Sequence, residues 1–134
     1  MLPERTGPLL SFTKIIVADV ERVFEFYRRV LGVEQHVRVR QGEGYDALDK
    51  IISKPVGAQM APTLAIKCFV NRPPPQPGEL QIGFVVSSVD EVVEAALAAG
   101  GSIEKAAVDQ PQHGVRVAFF RDVEGHSVEV VELL

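Results

Sequence analysis

Residues 12–32 read FTKIIVADVERVFEFYRRVLG, and residues 81–101 read QIGFVVSSVDEVVEAALAAGG. Laid over one another, the two stretches share a pattern. Ile15-Ile16-Val17 falls on Phe84-Val85-Val86, a β-branched and aromatic run that reads as a strand in both places. Asp19 falls on Ser88, and both residue types favour the helix N-cap because their side-chain oxygen can accept from an orphan N–H of the first turn. Ser88 followed by Glu91 predicts a capping box, with two such donors satisfied reciprocally. Val20, Val23, Phe24, Tyr27, Val30 and Leu31 then recur at three- and four-residue intervals, with Glu21, Arg22, Glu25, Arg28 and Arg29 between them. Val89, Val92, Val93, Ala96 and Leu97 repeat that phase, which is the spacing of an amphipathic helix. Gly32 closes the first helix and Gly100-Gly101 the second, since glycine readily takes the left-handed conformation that ends a helix. The shared unit is strand, cap, helix, glycine.

Each unit is followed by material for three more strands. In the first half these are roughly Glu34–Arg40, a weaker stretch within Ala47–Lys54, and Thr63–Val70. In the second they are roughly Ser102–Ala107, Val115–Arg121 and Ser127–Leu133. Between the halves, Asn71–Gly78 holds Pro73, Pro74, Pro75 and Pro77, which cannot join a sheet interior and read as a stiff extended linker. The expected organisation is one domain over residues 1–134, with modules at 9–70 and 79–134 joined by a linker at 71–78. Asp122-Val123-Glu124-Gly125 reads as a turn with Gly125 free to take a positive φ.

With 134 residues, 46% hydrophobic and 24% charged, the chain can fill a core without disulfides or a structural metal. A formal net charge of -4 argues against a general attraction to nucleic acid. No apolar run approaches the ~18 residues that span a bilayer, and Met1 to Leu10 lacks a continuous signal-peptide core. Cys68, the one cysteine, has no internal disulfide partner. The expected compartment is cytoplasmic.

In order along the chain stand Val17-Ala18-Asp19, Phe26-Tyr27-Arg28, Leu31-Gly32, Phe84-Val85-Val86 and Ala98-Ala99-Gly100-Gly101, then the unbroken run from Phe119 to Glu129. Together they resemble the vicinal oxygen chelate superfamily, which includes glyoxalase I, bleomycin- and fosfomycin-resistance proteins and extradiol dioxygenases. The resemblance runs from about Phe12 to Glu132, and Val123 stands where the family's turn usually has proline. It implies an α+β fold of two tandem βαβββ modules whose curled mixed sheets form a cup, and a homodimer. It also implies four inward strand positions that map to Phe12, Ala65, Gln81 and Glu129. Metal-dependent members carry His, Gln or Glu at most of these.

Phe12 and Ala65 have no donor to offer, so Gln81 and Glu129 are only weak metal candidates, with His113 or His36 as a conceivable third ligand. Catalytic metal sites usually supply at least three protein ligands. The chain therefore reads as a metal-free member with no cofactor. The expected ligand-binding set is Phe12, Lys14, Tyr45, Gln81, His113 and Glu129. Strand alternation puts Glu129 on the face opposite Val128 and Val130, which would pack under a helix. Its plainer role would be an ion pair with a nearby arginine such as Arg116 or Arg121, or a simply solvated strand residue. Gln81 shares its face with Gly83 and Val85. Phe12 and Lys14 share one face of the first strand, where an apolar residue suits an apolar ligand or simply the core. His113 lies in a rim loop, and His126 reads as a solvated turn residue. Tyr45 sits in a glycine-rich loop, able to fold over a ligand or cap a sheet edge. Cys68 reads as inert core.

Two functions of different class follow. One is a protein that sequesters a partly apolar small molecule, as bleomycin-resistance members do. The other is a glyoxalase-like lyase or isomerase in which Glu129, the candidate catalytic residue, removes a proton beside a carbonyl. That chemistry needs an electrophile for the enolate. A ring-cleaving dioxygenase is disfavoured, because its two-His-one-carboxylate triad lacks first-strand histidines.

Overall fold

The computed structural model describes residues 8, 10–58 and 61–134. Most of the N-terminal stretch read above for a leader, and the first residue of the expected first module, lie outside them.

The first module runs β1 (Phe12–Ile16), α1 (Val20–Leu31), β2 (Val33–Gln41), β3 (Leu48–Pro55) and β4 (Thr63–Phe69). The second runs β5 (Gln81–Val85), α2 (Val89–Ala98), β6 (Ser102–Gln110), β7 (Val115–Arg121) and β8 (Ser127–Leu133). Single 3-10 turns at Gly44–Asp46 and Pro111–His113 join β2 to β3 and β6 to β7. Strand order is β1-β4-β3-β2 in one sheet and β5-β8-β7-β6 in the other. Within each, the first strand pairs in parallel with the fourth and the other ladders are antiparallel. The two βαβββ modules are thus the same topology twice. The sheets do not close on one another: among the described residues no ladder joins them, and β1 and β5 remain edges.

Both helices start where the caps require. Asp19 Oδ1 accepts from Arg22 N at 3.0 Å, and Ser88 Oγ from Glu91 N at 3.2 Å. The carboxylate that reaches back into the first turn of α2 is not Glu91, as the capping box predicts, but Glu132 of β8, which accepts from Val89 N at 2.8 Å. A strand thereby holds the helix start. At the end of α1, Gly32 sits at φ 70° and donates to Arg28 O, a conformation that costs other residues about 1–2 kcal/mol.

A single core joins the modules. Val17, Val23, Tyr27, Ile66, Val89, Phe120, Val128 and Val130 are fully buried within it. The Phe26 ring of α1 lies 6.1 Å from Phe120 of β7 and edge-on to Tyr27 at 5.4 Å. Each sheet therefore spends its helix-side face on a common interior, and its other face is left open. Among the described residues no helix is long and apolar enough to cross a membrane.

Candidate functional site

Strand alternation decides what each open face carries. On the first sheet, Ile15, Ile51 and Ile66 point into the core, so Phe12, Lys14 and Ile16 point outward. Register places Lys14 beside Ala65, Ile52 beside Ala65, Lys50 beside Lys67 and Leu48 beside Phe69 on that same outward face. Ala65 is nevertheless 2% exposed and Phe12 58%. Tyr45 joins this face at one end, because the Arg72 guanidinium stacks between it and Phe69, 3.9 Å and 3.6 Å from the two rings. Arg72 is fixed there by bonds to Tyr45 O and Asp46 Oδ1, both 2.8 Å.

On the second sheet, Ile82 and Phe84 turn toward the core, and Gln81, Gly83 and Val85 turn out. Gln81 is paired with Ser127 and Gly83 with Glu129, so Gln81 and Glu129 lie on one face, one step apart diagonally. Gln81 Nε2 donates to Ser127 Oγ at 3.3 Å, and that hydroxyl donates to Glu104 Oε1 at 2.6 Å. Arg121 completes the group, 3.6 Å from Glu104. These side chains, with Pro77 and Gly78 of the linker and Glu79 and Leu80 that follow it, line a polar cleft of about 580 Å³. Glu104 and Ser127 went unread as site residues, because nothing in sequence links a strand glutamate to a serine 23 positions on.

Glu129 makes no ion pair with the arginines that its plainer reading assigns to it. Arg116 binds Asp90 and Asp109, and Arg121 binds Glu104 and the Gly125 carbonyl. His113 lies elsewhere, in the 3-10 turn beyond the Val115–Leu133 pair and one sheet end from Glu129. His36 is exposed at an irregularity of β2. The sequence-predicted residues thus fall into two groups, Phe12, Lys14 and Tyr45 on one sheet and Gln81 and Glu129 on the other, with His113 apart. Further clefts of about 510 Å³ and 250 Å³ lie where β5 approaches the first module. Thr13, Leu64 and Phe84 line the larger, and Lys14, Leu80 and His126 the smaller.

His126 is not the solvated turn residue that the sequence suggests. Its Nδ1 lies 2.8 Å from Asp122 Oδ2, its Nε2 3.4 Å from Ile16 O, and its side chain is 13% exposed. Tyr27 Oη donates to the same Asp122 oxygen at 2.7 Å. Burial pushes the Asp122 carboxyl up, but the bonds from His126 and Tyr27 outweigh it and hold the group below its ordinary range. The Asp122 hydrogen bond raises His126 against the opposing effect of burial. Burial, then the Asp122 charge, raises the Tyr27 phenol well above its usual value. Two residues along, Glu124 accepts from Ala18 N and Asp19 N at 2.8 and 2.9 Å, across the start of α1. This turn, with Gly125 at φ 92°, is a latch between modules. Cys68 donates to Ala18 O at 3.4 Å, and burial and three nearby carboxylates raise its thiol, so it is no ready thiolate.

A divalent metal of the kind the fold suggests finds a poor donor set. Phe12 and Ala65 offer no donor, Gln81 is engaged with Ser127, and no three of His, Cys, Asp and Glu converge among the described residues.

Residues 9–130 match the family model of the Glyoxalase/Bleomycin resistance protein/Dioxygenase superfamily. No curated protein matches the chain. Among solved structures, a glyoxalase family protein from Bacillus cereus superposes with a TM-score of 0.81 at 17% identity, over 99% of both chains. A glyoxalase/bleomycin resistance protein from Albidiferax ferrireducens gives 0.68 at 20% identity, over 92% of this chain and 98% of that one. A mutant of glyoxalase I from Zea mays gives 0.75 at 21% identity, over 92% of this chain. The chain spans 46% of that maize protein, about half its length. At these identities the likeness is one of fold.

Proposed function

The chain belongs to the Glyoxalase/Bleomycin resistance protein/Dioxygenase superfamily, and from that premise we propose that it binds a small, partly apolar organic molecule on an open sheet face, without a resident metal. The composition of the open faces carries this reading. Phe12 and Ile16 on the first sheet and Val85 on the second leave apolar surface in water, with Lys14 on the face of the former and Glu129 on that of the latter. Apolar side chains with a few polar groups among them are the kind of lining that small-molecule sites use. A second copy laid over the faces would turn each open sheet into an enclosed pocket and cover the β1 and β5 edges. The rival reading, with Glu129 as base beside a carbonyl, has less support on this sheet. Arg121 is committed to Glu104, and Lys105 lies over the Phe119 ring at 5.2 Å.

The test is a fluorescence titration with N-phenyl-1-naphthylamine, a neutral apolar reporter, with and without chelator. Ni(II), Zn(II), Mn(II) and Fe(II) are titrated in parallel into wild type and Glu129→Ala. Saturable dye binding indifferent to chelator is expected. Stoichiometric metal binding lost in Glu129→Ala would overturn the metal-free reading and put the lyase first. No saturable dye binding would remove the apolar pocket.

A further inference from the structure

The two open faces differ in charge, and the first has an unexplained excess. Lys14, Lys50 and Lys67 share it on three adjacent strands, β1, β3 and β4. Strands stand about 4.8 Å apart, so the three stems rise from a strip about 10 Å wide. Lys50 and Lys67 are direct cross-strand partners, an arrangement of like charges that weakens a sheet. None of the three ammonium groups has a carboxylate within ion-pairing distance among the described residues, although acids outnumber bases in the chain by 18 to 14. The nearby acids are spent elsewhere: Asp46 on Arg72, and Asp49, on the core side of β3, on Arg38. Burial first, then the charges of Lys14, Lys50 and Arg72, press the Lys67 ammonium below its ordinary value, with Asp46 opposing them.

Aromatic rings frame the same strip. Lys67 Nζ lies 4.5 Å from the centre of the Phe69 ring and Lys14 Nζ 5.7 Å from that of Phe12. Contacts of this kind hold an ammonium in place without neutralising it. Leu48 and Ile52 lie on the same face.

We propose that the open face of the first sheet is an anion site, in which Lys14, Lys50 and Lys67 receive the acidic group of a small organic acid whose apolar body rests on Phe69, Leu48 and Ile52. This rests on the binding function proposed above and names the chemical class of the ligand. A strip this narrow fits one acidic group, not a polyanion, which the net charge of -4 would repel.

The experiment compares two dyes of similar shape, 8-anilinonaphthalene-1-sulfonate and its uncharged counterpart N-phenyl-1-naphthylamine. Both are titrated into wild type, Lys67→Met, Lys50→Met and, as a control on the second sheet, Lys105→Met. Thermal unfolding checks that each variant is folded, and sedimentation checks its assembly. The sulfonate dye is expected to bind more tightly than the neutral one and to weaken at least about tenfold in Lys67→Met and Lys50→Met, the scale of one charge-assisted hydrogen bond. Lys105→Met should leave it unchanged. Benzoate should displace it and benzamide should not. Equal binding of both dyes, indifferent to the lysines, would overturn the anion site while leaving the apolar-ligand reading standing. Binding of neither dye would overturn both. Dissociation of an oligomer in the Lys67 and Lys50 variants, without dye binding to wild type, would show that the lysines face an acid of a second copy, which also overturns the site. Displacement by inorganic phosphate as readily as by benzoate would overturn the claim that the apolar body takes part.

Discussion

The two modules are the same fold written twice, yet they do unequal work. In the alignment that places residue 12 on residue 81, Phe26 and Tyr27 of α1 fall on Ala95 and Ala96 of α2. The aromatic pair is 2% and 0% exposed and meets Phe120 of the opposite module. On α2 only Val89 and Ala96 are fully buried, and Leu97 is 51% exposed. The bulk of the shared core thus comes from one helix, while the small side chains of the other leave room for it. The latch is equally one-sided. The turn between β7 and β8 sends Asp122, Glu124 and His126 onto the first module, whereas the corresponding segment between β3 and β4, residues 56–62, contains no acidic residue and no histidine. Repetition specifies elements, and departures from repetition specify how the copies join.

Breaking the latch should have the largest effect. Asp122 has a fully buried side chain that accepts from Tyr27, from the His126 ring and from the backbone N–H groups of Glu124 and His126. Asp122→Ala is expected to cost about 3–5 kcal/mol, the scale for removing one partner of a buried pair. Tyr27→Phe, which removes one hydrogen bond, should cost about 1 kcal/mol. Urea unfolding measures both. If Asp122→Ala cost no more than Tyr27→Phe, the joint between modules would rest on the aromatic core and the turn would be incidental.

The aligned glycines sharpen the comparison, because the same column holds glycine for two reasons. A Cβ at Gly32 would meet nothing, and only its φ of 70° disfavours a side chain. A Cβ at Gly101 would stand 2.5 Å from Arg121 O, 3.0 Å from Ala96 O and 3.0 Å from the Phe26 ring. Gly101→Ala is expected to cost about 3 kcal/mol through overpacking against backbone. Gly32→Ala should cost about 1 kcal/mol through conformation alone. Equal losses in chemical denaturation would mean that the second glycine, like the first, serves only to end its helix.

Most of the fold was legible because its signals are local. Caps at Asp19 and Ser88, the helical phase and the closing glycines each act within a few residues, and Val115–Arg121 and Ser127–Leu133 form strands over the predicted spans. The weakest strand, expected within Ala47–Lys54, forms at Leu48–Pro55, because its polar positions Lys50 and Lys54 face outward while Ile51 and Ser53 are buried. The joint between modules was not legible. His126 looked solvated because its partners, Asp122 in the same turn and Ile16 on another strand, depend on how the turn docks. Likewise the lysines of the first sheet sit 36 and 17 positions apart, and register alone brings them onto one strip. Alternation could place each on a face, but not beside the others.

The latch should also make stability depend on pH in a definite direction, which gives the subtlest test of its one-sidedness. His126 has a folded pKa raised above its ordinary 6.5, so its contribution is complete below that value and lost as pH rises through the raised one. Asp122 is held below its ordinary 3.8, so its contribution is present above that value and lost as pH falls through the lowered one. Glu124, which also favours the charged imidazole, works in the same direction as Asp122. The pair should therefore be strongest between about the carboxylate and imidazole ranges, and the urea midpoint should fall from pH 5.5 to pH 8.5. In His126→Asn that fall should shrink, because asparagine can keep a hydrogen bond to Asp122 but carries no proton to lose. If the variant and the wild type fell in parallel, the pH dependence would have to arise outside the latch, and the ion pair at its centre would contribute nothing to holding the modules together.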